Sequence, residues 1–269
     1  MRTAMTEPSG SIRIWVALDE SPCSTAALAA AAALAAEMDA ELAGLFVEDI
    51  NLQHLIGLPF AREFSLLTGA GRPLSQGEME RTWRREAEAM QHLLAEAAKR
   101  MRLRWSFRVA RGRVAAEVNT LAQAFDLIVL GQRPGIGVTA SPPATSRFTR
   151  VHPHVGPVLA LFEVGSTDSH GLDMGARLAR LNGADLVLLV SADGEDAYRM
   201  SCAAAQAVLK GRDLSGRCVW LHTLDDASLV KAARREAASC LVLANKQRFL
   251  TQAGFDRMLE EIECPVVLT

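Results

Sequence analysis

Short apolar runs alternate with longer helical patterns along most of the chain. In the first half, apolar runs predict strands at Ile12–Leu18, Glu41–Val47, Trp105–Ala110 and Leu127–Leu130. In the second half, similar runs predict strands at Val158–Phe162, Asp185–Val190, Arg217–His222, Cys240–Ala244 and Val266–Leu268. Short strands that are apolar throughout and separated by helices are typical of parallel sheets covered on both faces. The pattern therefore predicts an α/β protein.

The stretches between these strands have helical periodicity. They predict helices at Ser24–Met38, Gly77–Met101, Val114–Ala124, Ser169–Asn182, Asp196–Lys210, Ala227–Ala238 and Gln252–Glu261. Regular alternation of strands and helices implies right-handed crossovers between parallel strands.

The chain contains an internal repeat. Ile14–Phe46 aligns with Val158–Val190 at a constant offset and without a gap. A later pair of segments, Phe125–Leu130 and Ser239–Ala244, is also similar, and the first copy carries extra sequence before it. Because the order of elements matches as well as the residues, we interpret the chain as two copies of one α/β unit.

Composition narrows the class of protein. The chain has 269 residues, of which 49 % are hydrophobic and 22 % are charged, which fits two globular domains. A net charge of -2 gives no electrostatic attraction for nucleic acid or an anionic membrane surface. Five cysteines occur without a Cys-x-x-Cys pair, which favours reduced, buried thiols over disulfides or a metal site. We see neither a signal peptide nor a membrane span, so the expected location is cytoplasmic.

Several segments together resemble the universal stress proteins. They are Ile14–Ala27 (IWVALDESPCSTAA), Leu42–Val47, Val109–Gly112, Asp126–Gly131 and Glu263–Leu268. The resemblance covers nearly the whole chain and identifies it as similar to the tandem type of this family, with degenerate nucleotide motifs. It implies two doubly wound parallel-sheet domains with strand order 3-2-1-4-5, at residues 1–152 and 153–269.

One apolar run serves two roles in this interpretation. Pro157–Glu163 has the spacing of strand 5 of the first domain, but the internal repeat makes it strand 1 of the second. Strand 1 is central and strand 5 is an edge, so losing strand 1 would leave two rows of backbone groups without partners. We predict that Val158–Phe162 is the central strand of the second domain. The first domain then lacks strand 5, and Leu127–Leu130 needs a cover from Arg133–Val155, the other half or another subunit.

Ligands of open parallel sheets bind beyond the carboxyl ends of the strands, where the strand order reverses. The resemblance places this crevice beside Asp19 and Gly131. It implies that ATP or a related adenine nucleotide contacts Ala17, Asp19, Val47, Gly131, Arg133, Gly135, Thr145 and Ser146. In this comparison the Asp19 carboxylate reaches the ribose or an associated cation, the Val47 backbone contacts adenine, and Arg133 pairs with a phosphate.

The loop that follows Leu127–Leu130, which holds the phosphates in nucleotide-binding members of the family, departs from the family pattern. Pro134 and Ala144 stand where nucleotide-binding members have glycine, and proline also removes an amide donor. An eroded site, in which Asp19 only caps the first helix, is therefore the competing interpretation. The second half has Glu163 at the aspartate position and Asn245 at the glycine position, so we expect it to bind no triphosphate.

Other candidate features favour a structural interpretation. Residues 49–76 form an insertion in the first copy, which is either a lid or contact surface or a flap that covers apolar surface. His152 and His154 fit a surface turn better than a metal site. No set of residues forms a recognisable catalytic motif, so we expect no enzyme.

The sequence thus predicts a stress-associated, non-catalytic binding or sensing protein that holds one nucleotide in its N-terminal half. The alternative is an interaction scaffold that has lost nucleotide binding in both halves. The expected partners are the nucleotide, the other half of the same chain and a second copy in a homodimer, with no nucleic acid and no membrane.

Overall fold

The computed structural model describes residues 12–19, 21–49, 62–64, 71–73, 76–112, 116–117, 120, 127–131, 156–162, 170–211, 213–244 and 254–269. The first half contains β1 (Arg13–Ala17), α1 (Pro22–Met38), β2 (Glu41–Asp49), β3 (Arg62–Phe64), β4 (Gly71–Pro73), α2 (Gln76–Met101), β5 (Trp105–Gly112) and β6 (Leu127–Leu130). The second half contains β7 (Val158–Phe162), α3 (His170–Asn182), β8 (Leu186–Ser191), α4 (Glu195–Lys210), β9 (Arg217–Leu221), α5 (Asp226–Arg235), β10 (Cys240–Leu243), α6 (Gly254–Glu261) and β11 (Val266–Leu268). Most of the predicted helix Val114–Ala124 lies outside the described residues.

Nine of the strands form one sheet in the order β5-β2-β1-β6-β11-β10-β7-β8-β9. We number the strands of this sheet separately in each half, in chain order and without β3 and β4. The order is then 3-2-1-4 in the first half, read from β5, and 3-2-1-4-5 in the second half, read from β9. The predicted α/β class and strand order are confirmed, and the described residues of the first half contribute four strands to this sheet.

Val158–Phe162, which the sequence assigned to two alternative positions, belongs to the second half. Val158–Phe162 pairs in parallel with β8 on one side and with β10 on the other. It therefore occupies the centre of that half, as predicted from the larger cost of losing a central strand. The predicted domain boundary between residues 152 and 153 lies outside the described residues and stays a prediction.

The two halves share their sheet through an antiparallel seam between β6 and β11. Val129 faces Val267 in this pairing, and Leu130 faces Val266. The sequence left three candidates to cover the free edge of β6: Arg133–Val155, the other half or another subunit. In the structure, the other half covers it. The structure joins the sheets of the two halves into one, because each half satisfies the edge of the other.

The repeat is visible in the strand register. Ile14 faces Leu42 in the first half, and the residues that match them, Val158 and Leu186, face each other in the second. The preceding helices also end alike, since Asp39 (φ 48°) and Gly183 (φ 60°) both take the left-handed backbone conformation. The internal duplication inferred from sequence therefore corresponds to a repeated structure.

One alignment inferred from the sequence is wrong by a single residue. Trp15 pairs with Ile128 in the first half, and Leu159, which matches Trp15, pairs with Leu241 in the second. Ile128 is thus equivalent to Leu241, so Gly131 corresponds to Ala244 and not to Asn245. The error arose because two apolar runs align equally well when one of them is shifted by one residue. Such a shift nevertheless exchanges the side chains on the two faces of the strand.

Helices cover both faces of the sheet. Apolar side chains of α1, α2, α3 and α4 pack on one face, and those of α5 and α6 pack on the other. Along β6 all residues are buried, with Leu127 and Val129 on the first face and Ile128 and Leu130 on the second. Each core cluster contains residues of both halves, so the seam lies inside a continuous core.

The insertion contains a small separate sheet. β3 and β4 pair antiparallel, with Glu63 facing Arg72, and they do not join the nine-stranded sheet. Side chains of this region lie outside the described part, so its role as lid, contact surface or flap stays a prediction. Among the described residues, none of the helices combines the length and the apolar character needed to cross a membrane.

Candidate functional site

The predicted crevice lies where β1 and β6 end side by side. Ala17 pairs with Leu130, so Asp19 and Gly131 emerge together at the carboxyl edge of the first half. The chain leaves β1 through α1 toward β2 on one side, while β6 adjoins the other side. This is the reversal of strand order at which open α/β sheets bind ligands.

The start of α1 explains the local structure of this edge. Ser21 has extended backbone angles (φ -73°, ψ 152°), and its Oγ accepts a hydrogen bond of 3.2 Å from the backbone N–H of Ser24. Pro22 follows in the first turn, where its fixed φ suits a helix and its missing N–H costs nothing. The sequence Ser-Pro therefore sets the point at which the helix begins.

Asp19 takes part in the same network. Its Oδ1 accepts hydrogen bonds from the backbone N–H of Ser21 (2.9 Å) and from the Oγ of Ser24 (2.6 Å). The backbone N–H of Asp19 donates to Ser24 Oγ at 2.7 Å, and Ser24 is only 2 % exposed. At least one oxygen of the predicted ligand residue thus supports the turn into α1, as in the competing capping interpretation.

A second bond crosses the crevice. Ser21 Oγ donates to the carbonyl oxygen of Gly131 at 3.0 Å, which links the start of α1 to the end of β6. Sequence reasoning missed Ser21 and Ser24 as members of the site. The signal was present, because an aspartate and a serine before a proline are typical of a helix N-terminus.

Ala17 and Val47 supply an apolar wall. Their side chains are 2 % and 8 % exposed. Both lie on the same face of the sheet as α5 and α6, and they belong to the hydrophobic cluster on that face. Val47 pairs with Ala110 of β5, and the next residue, Glu48, forms an ion pair of 2.5 Å with Arg111. The wall is therefore held by backbone pairing and by a charged contact at its rim.

The residues predicted to contact the phosphates belong to a separate segment, which follows Gly131. Arg133, Gly135, Thr145 and Ser146 lie outside the described residues, as do Pro134 and Ala144. The structure therefore brings together Ala17, Asp19, Val47 and Gly131, and the contribution of the other four residues stays a prediction.

The corresponding edge of the second half points the other way. The backbone N–H of Thr269 donates to the carbonyl oxygen of Leu243 (3.0 Å), and Gly171 at the start of α3 packs against Ala244. Ala244 replaces the glycine of the first half, while Glu163 and Asn245 lie outside the described residues. Because β6 and β11 are antiparallel, the two carboxyl edges lie on opposite sides of the sheet.

Two further features lie apart from the crevice. A cavity of about 550 Å³ opens at the amino ends of β8 and β9, where Asp185, Asp213 and Arg217 contribute to its lining. None of the described site residues lines it. Within the described ranges, no three His, Cys, Asp or Glu side chains gather in a way that could hold a metal ion.

Comparisons with solved structures show which fold this is. A universal stress protein from Archaeoglobus fulgidus DSM 4304 superimposes with a TM-score of 0.54 and 8 % identity, covering 95 % of this chain and 97 % of that chain. A protein of unknown function from Pseudomonas aeruginosa PAO1 gives 0.46 and 14 %, covering 95 % and 91 %. The universal stress protein UspA from Lactobacillus plantarum gives 0.33 and 17 %, covering 50 % of this chain and 86 % of that one.

The chain thus has the α/β fold of a universal stress protein, and the first comparison establishes this for nearly its whole length. At such low identity the likeness concerns the fold alone. No protein-family model and no curated protein matches the chain.

Proposed function

We propose that this chain is a stress-associated, non-catalytic binding or sensing protein that holds one adenine nucleotide in its N-terminal half. The observation that supports the proposal is the convergence of Asp19 and Gly131 at the strand reversal, beside the apolar wall of Ala17 and Val47. A carboxylate suits a ribose hydroxyl, and an apolar wall suits a base, so the pair fits the nucleoside portion of the ligand.

Equilibrium dialysis of the full chain with labelled ATP tests this proposal. Asp19→Asn keeps an oxygen that can accept the bonds from Ser21 and Ser24 but removes the charge. We expect it to weaken ATP binding about tenfold or more, since a hydrogen bond to a charged group contributes roughly 1.5–3 kcal/mol.

Two controls separate ligand contact from support of the turn. Ser24→Ala removes a partner of Asp19 and leaves the carboxylate in place, so binding should change much less. Glu163→Ala alters the equivalent position of the second half and should leave ATP binding unchanged. Equal losses in Asp19→Asn and Glu163→Ala would contradict a single N-terminal site.

The second candidate is an interaction scaffold without nucleotide binding. It is favoured by the bond between Ser21 Oγ and the Gly131 carbonyl, which spans the crevice, and by the use of Asp19 Oδ1 within the chain. Under this alternative, folded protein shows no saturable ATP uptake in the same dialysis. Sustained ATP hydrolysis that one point mutation abolishes would contradict both candidates.

A further inference from the structure

Two thiols lie side by side at the margin of the second half. Cys202 on α4 and Cys218 on β9 are both free and partly buried, and the Cys202 thiol is near enough to raise the pKa of the Cys218 thiol. β9 is the end strand of the sheet, so this thiol pair lies at the margin and not in the deep core. By contrast, Cys240 and Cys264 are 1 % and 5 % exposed.

Aromatic packing holds the thiol pair in place. Trp220, two residues after Cys218 on the same face of β9, stacks on Tyr198 with ring centroids 5.1 Å apart and planes 11° apart. Its indole N–H donates to the carbonyl oxygen of Ala192 at 3.0 Å. Tyr198 lies one helical turn before Cys202 on α4. The stacked rings fix the start of α4 against β9, and they bring the turn of helix that carries Cys202 next to the part of the strand that carries Cys218.

We propose that Cys202 and Cys218 form a reversible dithiol–disulfide site oxidised by peroxides. In the first step, the Cys202 sulfur attacks one oxygen of hydrogen peroxide, the O–O bond breaks, and a sulfenic acid and one water are formed. In the second step, the Cys218 sulfur attacks the Cys202 sulfur, the S–O bond breaks, and the hydroxyl leaves as water with the proton of Cys218. Two thiols and one peroxide thus give one disulfide and two waters, and a dithiol reductant restores the thiols.

The surroundings of the two sulfurs assign the order of these steps. Burial, and secondly the neighbouring Cys202 thiol, raise the pKa of the Cys218 thiol to about 12. Cys218 therefore keeps its proton at neutral pH and is a poor first nucleophile, because the thiolate is the reactive form. Oxidation begins at Cys202, and Cys218 resolves the sulfenic acid.

This site is independent of the nucleotide crevice and of the function proposed for it. A disulfide here joins a covering helix to an end strand, two elements that otherwise meet only through side-chain packing. It would restrain the margin of the second half and leave the seam at β6 and β11 untouched.

Peptide mapping tests the thiol pair directly, because trypsin places the two cysteines in different peptides, Met200–Lys210 and Cys218–Lys231. We expect native full-length protein treated with hydrogen peroxide to yield these peptides linked, with two hydrogens fewer than their sum. The link should disappear with dithiothreitol and in Cys202→Ser and Cys218→Ser, and it should persist in the control Cys240→Ser.

The single variants also report the order of oxidation. In Cys218→Ser the sulfenic acid on Cys202 has no resolving thiol, so dimedone should label peptide Met200–Lys210. In Cys202→Ser, dimedone should leave peptide Cys218–Lys231 unlabelled. Failure of the linked peptide to form in folded protein, or its formation only in urea, would overturn the proposed site. Equal dimedone labelling in the two variants would overturn the assigned order.

Discussion

At the residue scale, short side-chain oxygens fix the start of two helices, α1 and α5. Ser21 caps α1 and also reaches the end of β6, while Asp225 caps α5. The positions of Asp19 and Gly131 could be predicted because they directly follow buried strands. Their hydrogen bonds to Ser21 and Ser24 could not, since a sequence does not reveal whether a capping oxygen turns to its own helix or to a neighbouring strand.

The cap at Asp225 makes part of the stability depend on pH. Its Oδ1 accepts a bond of 2.7 Å from the backbone N–H of Ser228, and this bond is the largest cause that lowers the pKa of Asp225. A lowered pKa in the folded state means that the stabilisation is complete above the unfolded value near 3.9 and is lost as pH falls through the folded value. Asp225→Ala should cost about 1 kcal/mol of unfolding free energy at pH 7 and less at pH 3, measured by urea unfolding.

Asp225→Asn is the matched control for this cap. Its amide oxygen can accept the same bond, so at pH 7 it should cost less than the alanine variant. An alanine penalty that is identical at pH 7 and pH 3 would show that the carboxylate charge contributes nothing to the cap.

At the scale of elements, the alternation of apolar and helical patterns was enough to locate the nine strands of the large sheet, but it did not predict β3 and β4. Leu127–Leu130, Val158–Phe162 and Val266–Leu268 have the predicted bounds. The match between the fourth strands of the two halves was wrong by one residue, because runs such as LIVL carry no polar position to fix which side chains face which helix. Local pattern specifies a buried strand, and its register depends on neighbours that are distant in sequence.

The packing of α3 on β7 depends on a glycine that brings helix and strand close together. A Cβ on Gly175 would lie 2.9 Å from the Cβ of Ala160 and 3.3 Å from Leu186 Cδ1. Because Ala160 has no rotamer that removes its Cβ, Gly175→Ala should destabilise the protein by about 1–3 kcal/mol.

Gly171 provides the control on the same helix. It is also buried, but a Cβ there would make only ordinary contacts of 3.8 Å or more. Gly171→Ala should be neutral or stabilise by up to about 1 kcal/mol, since alanine is the better helix former. Equal destabilisation of both variants in urea unfolding would mean that close approach at Gly175 does not limit the packing.

At the scale of the whole molecule, the seam between β6 and β11 makes one body of two repeated units. Both core clusters include side chains from both halves, and Glu37 of α1 pairs with Arg177 of α3 across the boundary at 3.3 Å. This ion pair is partly exposed, so its contribution is small compared with the shared core and backbone pairing. The sequence indicated that one edge of β6 needs a hydrogen-bonding partner. It did not show which segment or subunit is that partner, because any of them can pair with the backbone N–H and C=O groups of β6.

We expect the two halves to unfold together in one transition. Urea unfolding followed by the fluorescence of the four tryptophans, which lie in both halves, should coincide with unfolding followed by circular dichroism. Val267→Pro removes a backbone donor from the middle of the sheet and should lower a common midpoint. Arg217→Pro, at the first residue of the end strand, should have a smaller effect. Two separate transitions in the unmodified protein would show that the seam does not couple the halves.

The seam also has a consequence for how the protein is made. β6 is entirely apolar, and in the part of the chain that the structure describes its partner β11 follows every other strand. At a synthesis rate of about 5–20 residues per second, translation of the chain between them takes on the order of ten seconds. During that interval on the ribosome, the N-terminal half has an uncovered hydrogen-bonding edge that any neighbouring nascent chain can pair with. Expression of this protein should therefore depend on holding chaperones at the stage before β11 is synthesised.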